Sequence, residues 1–206
     1  MTEKFAGQAD RWTERAYADP RAYLAHRAEL VVSLGPPLRP GDRVLDLACG
    51  DGGLAESLTP FGVGYLGVDA SPEMVAAATA RGHEAVLADL NDFEPNRPVA
   101  ATTCFRAIYY ARDRRAFLRR VAGYTERKLV FDLNPRQFRL DDVRADLRAA
   151  GFDRLELRPF FVPQTVALPR AASATLRGLE RSGPLARLLL RVRFTYLCAA
   201  SPGTNL

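Results

Sequence analysis

Two periods alternate along the chain, one helical and one extended, and the places where they switch predict its elements. Residues 10–34 carry a helical stripe with Tyr23, Leu24, Leu30 and Val31 on one side, and Pro20 marks a fresh helix start within it. The segment Gly35-Pro-Pro-Leu-Arg-Pro-Gly41 ends that pattern. Short apolar runs at 43–48, 63–69, 84–88, 99–105 and 129–133 then read as strands, separated by helical stretches at 50–58, 71–81, 113–122 and 140–150. Ser71-Pro72-Glu73 supplies an N-cap, a first-turn proline and a first-turn acid. Late strands are predicted at 155–162 and 194–199, with helical stretches at 171–183 and after Pro184 between them. Strands alternating with helices imply parallel βαβ units. The expected fold is therefore α/β, an open and mostly parallel seven-stranded sheet with helices on both faces. An N-terminal helical cap (1–40) and a helical insert before the last strand (163–193) complete it, with no repeat or linker to divide residues 1–206.

Composition narrows the class. Hydrophobic residues make up 48% and charged residues 26% of 206, a globular profile. No run approaches the ~20 apolar residues that span a bilayer. The first twenty residues, with Glu3, Lys4, Asp10, Arg11, Glu14, Arg15 and Asp19, lack an apolar signal core, so a soluble, cytoplasmic protein is expected. Cys49, Cys104 and Cys198 form no CxxC pair, and His26 and His83 match no ligand spacing, so neither a disulfide framework nor a metal site is expected. The net charge of +5 lies entirely in 163–193, where six arginines face one acid, Glu180. The rest of the chain is neutral, which disfavours a nucleic-acid partner.

Ligands of open α/β sheets bind at the carboxyl ends of the strands, and the first strand ends in Asp46-Leu-Ala-Cys-Gly50-Asp-Gly52-Gly53-Leu-Ala55. Gly50 and Gly52 permit a tight turn and close approach of a ligand to backbone, with free N–H groups from the helix behind. Three acids stand at successive strand ends: Asp46 in the first, Asp69 closing the second and Asp89 after the third. A carboxylate seventeen residues after Gly52 suits the hydroxyls of a ribose and repels a ribose phosphate. The G-x-G-x-x-A spacing also fits a nicotinamide dinucleotide site, but Asp46 would then stand where a pyrophosphate belongs. An acid-lined site fits a cationic ligand better.

Val44-Leu-Asp-Leu-Ala-Cys-Gly-Asp-Gly52 resembles the first motif of class I S-adenosylmethionine-dependent methyltransferases, and Gly67-Val-Asp-Ala-Ser-Pro72 resembles their second. Ala88-Asp-Leu90 matches their adenine-side position, and the likeness runs from about Arg43 to Leu133. The resemblance is to the small stand-alone members of secondary and lipid metabolism. It implies a Rossmann-like fold, S-adenosylmethionine as cofactor, and methyl transfer to a small molecule, with oxygen as the expected acceptor atom in secondary or lipid and quinone-type metabolism. It places Gly50 and Gly52 by the methionine part, Asp46 near its amino group, Asp69 on the ribose, and Asp89 and Leu90 at the adenine. Ala48, Cys49, Ala70 and Ala88 accompany them, and Ala48 stands where the commonest pattern has a glycine.

Acceptor-side candidates follow the fourth strand: Phe105 to flank the cofactor, Arg106 to hold an acidic acceptor, and Tyr109. His26 is a candidate general base on a helix that folds over the cleft. Trp12 and Tyr17 are candidates to close the pocket, and His83 reads as exposed loop at the far strand end. The basic insert reads as a cover, a lid for a lipophilic or anionic acceptor, or a peripheral membrane contact through 171–191. Two rival readings stand beside methyl transfer: a nicotinamide-dependent oxidoreductase, and a non-catalytic nucleotide-binding regulatory module.

Overall fold

The computed structural model describes residues 11–181, 183–189 and 195–203. The predicted strand start at Phe194 and the basic residues Arg191 and Arg193 lie outside these residues, as do the first ten residues of the expected cap. Seven strands form one sheet in the order β3-β2-β1-β4-β5-β7-β6. They are β1 (Arg43–Leu47), β2 (Gly64–Asp69), β3 (Ala85–Leu87), β4 (Val99–Cys104), β5 (Thr125–Leu133), β6 (Arg154–Pro159) and β7 (Tyr196–Ser201). Strands β1 to β5 run parallel, and β7 enters antiparallel between β5 and β6. The chain reverses direction across the sheet between β1 and β4, so the crevice at their carboxyl ends is the place where such folds hold ligands.

The helices are α1 (Trp12–Ala16), α2 (Pro20–Ser33), α3 (Gly53–Leu58), α4 (Pro72–Ala80), α5 (Arg114–Tyr124), α6 (Leu140–Ala149), α7 (Arg170–Arg181) and α8 (Gly183–Leu189). Local chemistry fixes their starts. Asp19 accepts from the Ala22 N–H at 3.0 Å with Pro20 in the first turn, Ser71 accepts from Met74 ahead of Pro72, and Asp113 accepts from Arg115 and Ala116.

Strand side chains alternate between two buried layers, as a doubly covered sheet requires. Leu45, Leu129, Phe131 and Cys198 pack against Phe117, Leu118 and Val121 of α5 and Val143 and Leu147 of α6. Val44, Ala101, Val130 and Leu197 pack on the other face against Leu24 and Val31 of α2 and Leu54 and Leu58 of α3. One charged residue lies fully inside this second region. Lys128 of β5 donates from Nζ to the carbonyls of Val32 (3.1 Å) and Leu34 (2.6 Å) at the end of α2, and burial pushes its amine down to about 7.

Strand β5 is longer at its start than the pattern of 129–133 predicts, because Thr125 and Lys128 are polar yet buried. Each is satisfied by a partner, Thr125 by Thr102 at 2.6 Å.

Candidate active site

Glycine geometry shapes the loop after β1. Gly50 and Gly52 adopt φ of 58° and 75°. A Cβ at Gly50 would meet the Trp12 ring at 3.1 Å, and one at Gly52 would meet His83 at 3.0 Å and Ala78 at 3.2 Å. Gly50 therefore faces the cavity above the loop, whereas Gly52 does not line it and instead lets α4 pack close behind. His83, predicted as exposed loop, is tucked under this turn against Tyr65, with ring centroids 6.1 Å apart. Ala48 also sits in the left-handed region at φ 60°. Alanine there is strained by its Cβ, so Ala48→Gly raises unfolding stability by about 0.5–1 kcal/mol after the extra chain entropy of glycine is subtracted, as a denaturant titration would show.

Above this loop lies a cavity of about 690 Å³. Asp46, Ala48, Cys49, Gly50, Asp69, Ala70, Ala88, Asp89, Leu90, Phe105, Arg106 and Tyr109 all line it, as do Trp12 and Tyr17. The structure thus brings together nearly every residue singled out from the sequence, with Gly52 and His26 as the exceptions.

Asp46 is almost fully buried and accepts from Thr103 Oγ1 (2.6 Å) and Tyr65 OH (3.0 Å). Burial pushes its carboxyl up to about 6, against the pull of these two bonds and of Arg27. Asp69 accepts from the Gly50 N–H through Oδ2 and from the Ser71 N–H through Oδ1, both at 2.9 Å, so it closes the turn as well as facing the cavity. Burial raises its carboxyl despite those bonds. Asp89 is held by the Asn91 N–H and side chain and by Arg112 Nη2 at 2.7 Å. Burial opposes its ionisation, but the Asn91 and Arg112 bonds outweigh it and hold the carboxyl low. Cys49 Sγ lies against Gly67, and burial pushes its thiol up, which leaves it a packing group.

Two contributors, Arg27 and Asp51, were not legible as functional from their sequence neighbourhoods, whereas a third, Asp132, is expected near the acceptor-side rim from its place at the end of the fifth strand. Arg27 is buried beneath the cavity, with its guanidinium 4.3 Å from the Phe105 ring centre, 3.1 Å from Tyr23 OH and 3.5 Å from Asp132. Its Nε is buried without a hydrogen-bond partner among the described residues. Asp51, in the glycine turn, receives the Thr13 N–H (3.0 Å) and hydroxyl (2.5 Å) and Arg81 (2.7 Å), which tethers α1 over the cavity. Asp132 accepts the Arg106 N–H at 2.6 Å and so holds that residue at φ 54°.

His26 is elsewhere. Its ring is completely buried, stacks on Phe160 at 5.1 Å and meets Glu180 of α7 at 2.5 Å. The expectation of a base over the cleft rested on α2 presenting this face to the cavity. The helix instead turns it toward the insert, and Arg27, one residue on, faces the cavity. Tyr109 and Tyr110 are both partly exposed, with ring centroids 4.5 Å apart, so neither is a core residue.

Residues 44–128 match the family described as Methyltransferase domain. That match takes in less than half of the chain, and the strand order is that of an open, Rossmann-like sheet. Over 101 residues it is 39% identical to trans-aconitate 2-methyltransferase of Mycobacterium tuberculosis, a match that takes in 45% of this chain and 38% of that protein. It therefore spans well under half the length of those relatives. It is 26% identical to ubiquinone biosynthesis O-methyltransferase of Xanthomonas campestris, over 97% of this chain and 93% of that one. Among solved structures, magnesium protoporphyrin IX methyltransferase of Synechocystis with bound S-adenosylmethionine aligns over 98% of this chain and 95% of its own. That pair has a TM-score of 0.66 and 17% identity. The methyltransferase in the Haloferax volcanii Trm112 complex aligns over 100% and 98% with a TM-score of 0.69 and 20% identity. No described helix is long and apolar enough to cross a membrane.

Proposed function

We propose that this chain transfers a methyl group from S-adenosylmethionine to an oxygen of a small-molecule acceptor. One observation carries the reading: a single cavity holds at its floor a carboxylate, Asp46, and a guanidinium whose Nε has no partner among the described residues, Arg27, with two further carboxylates, Asp69 and Asp89, along its length. An amino-acid head carries both charges and so fits Asp46 and Arg27 together, whereas the pyrophosphate of a nicotinamide dinucleotide would meet Asp46 with like charge. In this reading Asp69 takes the ribose hydroxyls, and Asp89 and Leu90 take the adenine. The full-length likeness to an O-methyltransferase supports oxygen as the acceptor atom.

When bound, the cofactor supplies a methyl group already activated as a sulfonium. What remains for the chain is alignment and exclusion of water. Trp12 and Tyr17 cover the cavity from α1 and the segment after it, Asp51 anchors that cover, and Phe105 and Arg106 form the wall toward the acceptor. No step here requires His26, which we assign to holding the insert.

The test uses the Asp46 carboxyl. Above about pH 6 it is ionised and can hold a positive amino group, and below that value a proton takes the place of the ammonium. Affinity for S-adenosylhomocysteine therefore rises between about pH 5 and 7, by up to ~10-fold per pH unit, and is flat above. In Asp46→Asn the affinity is low and this pH dependence is absent. An unchanged profile in the variant would remove Asp46 from the amino-group site.

A further inference from the structure

A second cavity, of about 450 Å³, opens beside the first and shares two residues with it, Arg106 and Tyr109. Tyr23, Phe138, Phe160 and Phe161 give it aromatic walls on part of its lining, and Asn134, Gln137 and Gln164 supply neutral polar groups beside them. Of its two charged residues, Asp132 is committed. One oxygen accepts the Arg106 N–H, and the other lies 3.5 Å from Arg27. The Arg106 side chain, in contrast, makes no hydrogen bond or ion pair with a described residue. Its backbone is held at φ 54°, in the left-handed region that costs a non-glycine residue strain. That strain is sustained at the one place where the two cavities meet, as at sites where a side chain must be aimed.

Building on the methyl-transfer reading, we propose that the acceptor is a ring-bearing carboxylic acid, seated among the aromatic walls of the second cavity with its carboxylate on Arg106, and that this carboxylate is itself methylated. A guanidinium shared by both cavities fixes an anion at their boundary, and its planar fork matches a carboxylate. The bond balance is simple. A carboxylate oxygen forms the new bond to the methyl carbon, the carbon–sulfur bond breaks with its electron pair going to sulfur, and the products are a methyl ester and a neutral thioether. No proton is transferred, which agrees with the state of the groups around the junction. Asp132 is engaged at both oxygens, and burial with the Tyr110 contact holds the Tyr109 hydroxyl up at about 12, so it stays protonated.

The experiment saturates the protein with S-adenosylhomocysteine and titrates that complex calorimetrically with trans-cinnamate and with cinnamamide, for the unaltered chain, Arg106→Gln and Arg106→Lys. Side-chain replacement leaves the backbone bond to Asp132 in place, and the affinity of each variant for S-adenosylhomocysteine is measured first, so that the acid and amide are compared on complexes that are equally saturated. The expected result is that the acid binds at least about tenfold tighter than the amide, that Arg106→Gln erases the difference and that Arg106→Lys keeps part of it. With labelled S-adenosylmethionine, the product from the acid releases methanol in alkali, as an ester does. Equal affinity for acid and amide, discrimination that survives Arg106→Gln, binding of neither probe, or an alkali-stable product would each overturn the proposal while leaving the cofactor reading intact. Failure of S-adenosylhomocysteine to bind would overturn both.

Discussion

His26→Ala lowers unfolding stability by about 3–5 kcal/mol and leaves affinity for S-adenosylhomocysteine unchanged. The His26 and Glu180 side chains are 0% and 1% exposed, and Glu180 uses both oxygens, one on His26 Nε2 at 2.5 Å and one on the Phe161 N–H at 2.6 Å. Removing the ring leaves a carboxylate stranded in a site that water does not reach, which is the costly way to break such a pair. Replacing both partners without stranding a charge is far milder. His26→Leu combined with Glu180→Gln keeps an acceptor for Phe161 and recovers most of the loss, so a double-mutant cycle shows strong coupling. Guanidinium denaturation measures the stability, and calorimetry below the transition measures the affinity. Because Phe160 and Phe161 line the second cavity and His26 stacks on the first of them, the variant weakens acceptor binding more than cofactor binding. A His26 variant of normal stability with lost turnover would return this residue to the role of a base.

Asp69→Ala weakens S-adenosylhomocysteine binding by about 100-fold, or nearly 3 kcal/mol, the worth of one or two hydrogen bonds to a charged group. Part of the loss is indirect. Asp69 accepts the Gly50 and Ser71 N–H groups, so its removal also loosens the turn that faces the ligand. Asp69→Asn separates the two effects, since the amide oxygen can keep one backbone donor while the charge is lost. It is expected to bind about tenfold more weakly than the unaltered chain, between the unaltered protein and Asp69→Ala. Isothermal titration of the three proteins orders them, and equal affinities would remove Asp69 from the ligand site.

What was legible in the sequence was what neighbours in sequence determine. The strand and helix order follows from periodicity, and Ser71 announces its helix through a side chain that bonds three residues ahead. The Asp46, Asp69 and Asp89 triad could be read because parallel strands deliver their ends to one edge. Arg27 and His26 could not be told apart in this way. They are adjacent on α2, and the choice of which faces the cavity is made by Glu180, 154 residues beyond His26, and by Asp132 on β5. The basic insert was similarly ambiguous by composition. In the structure Arg177 and Arg181 reach Glu29 on α2 at 3.4 and 3.3 Å, and Arg177 also donates to the Ala22 carbonyl. Part of its charge is therefore spent within the fold. Lys128 was missed for a related reason, since a lysine in a strand reads as a surface residue until the carbonyl ends of α2 are brought over it.

The central claim is that the acid-lined cavity takes a sulfonium donor rather than a nicotinamide. The most direct measurement is a parallel calorimetric titration of the full chain with S-adenosylhomocysteine and with NADH at pH 7.5. The account predicts one-to-one binding of S-adenosylhomocysteine and no measurable heat from NADH. Binding of NADH with no response to S-adenosylhomocysteine would contradict it, and with it the roles given to Asp46 and Arg27.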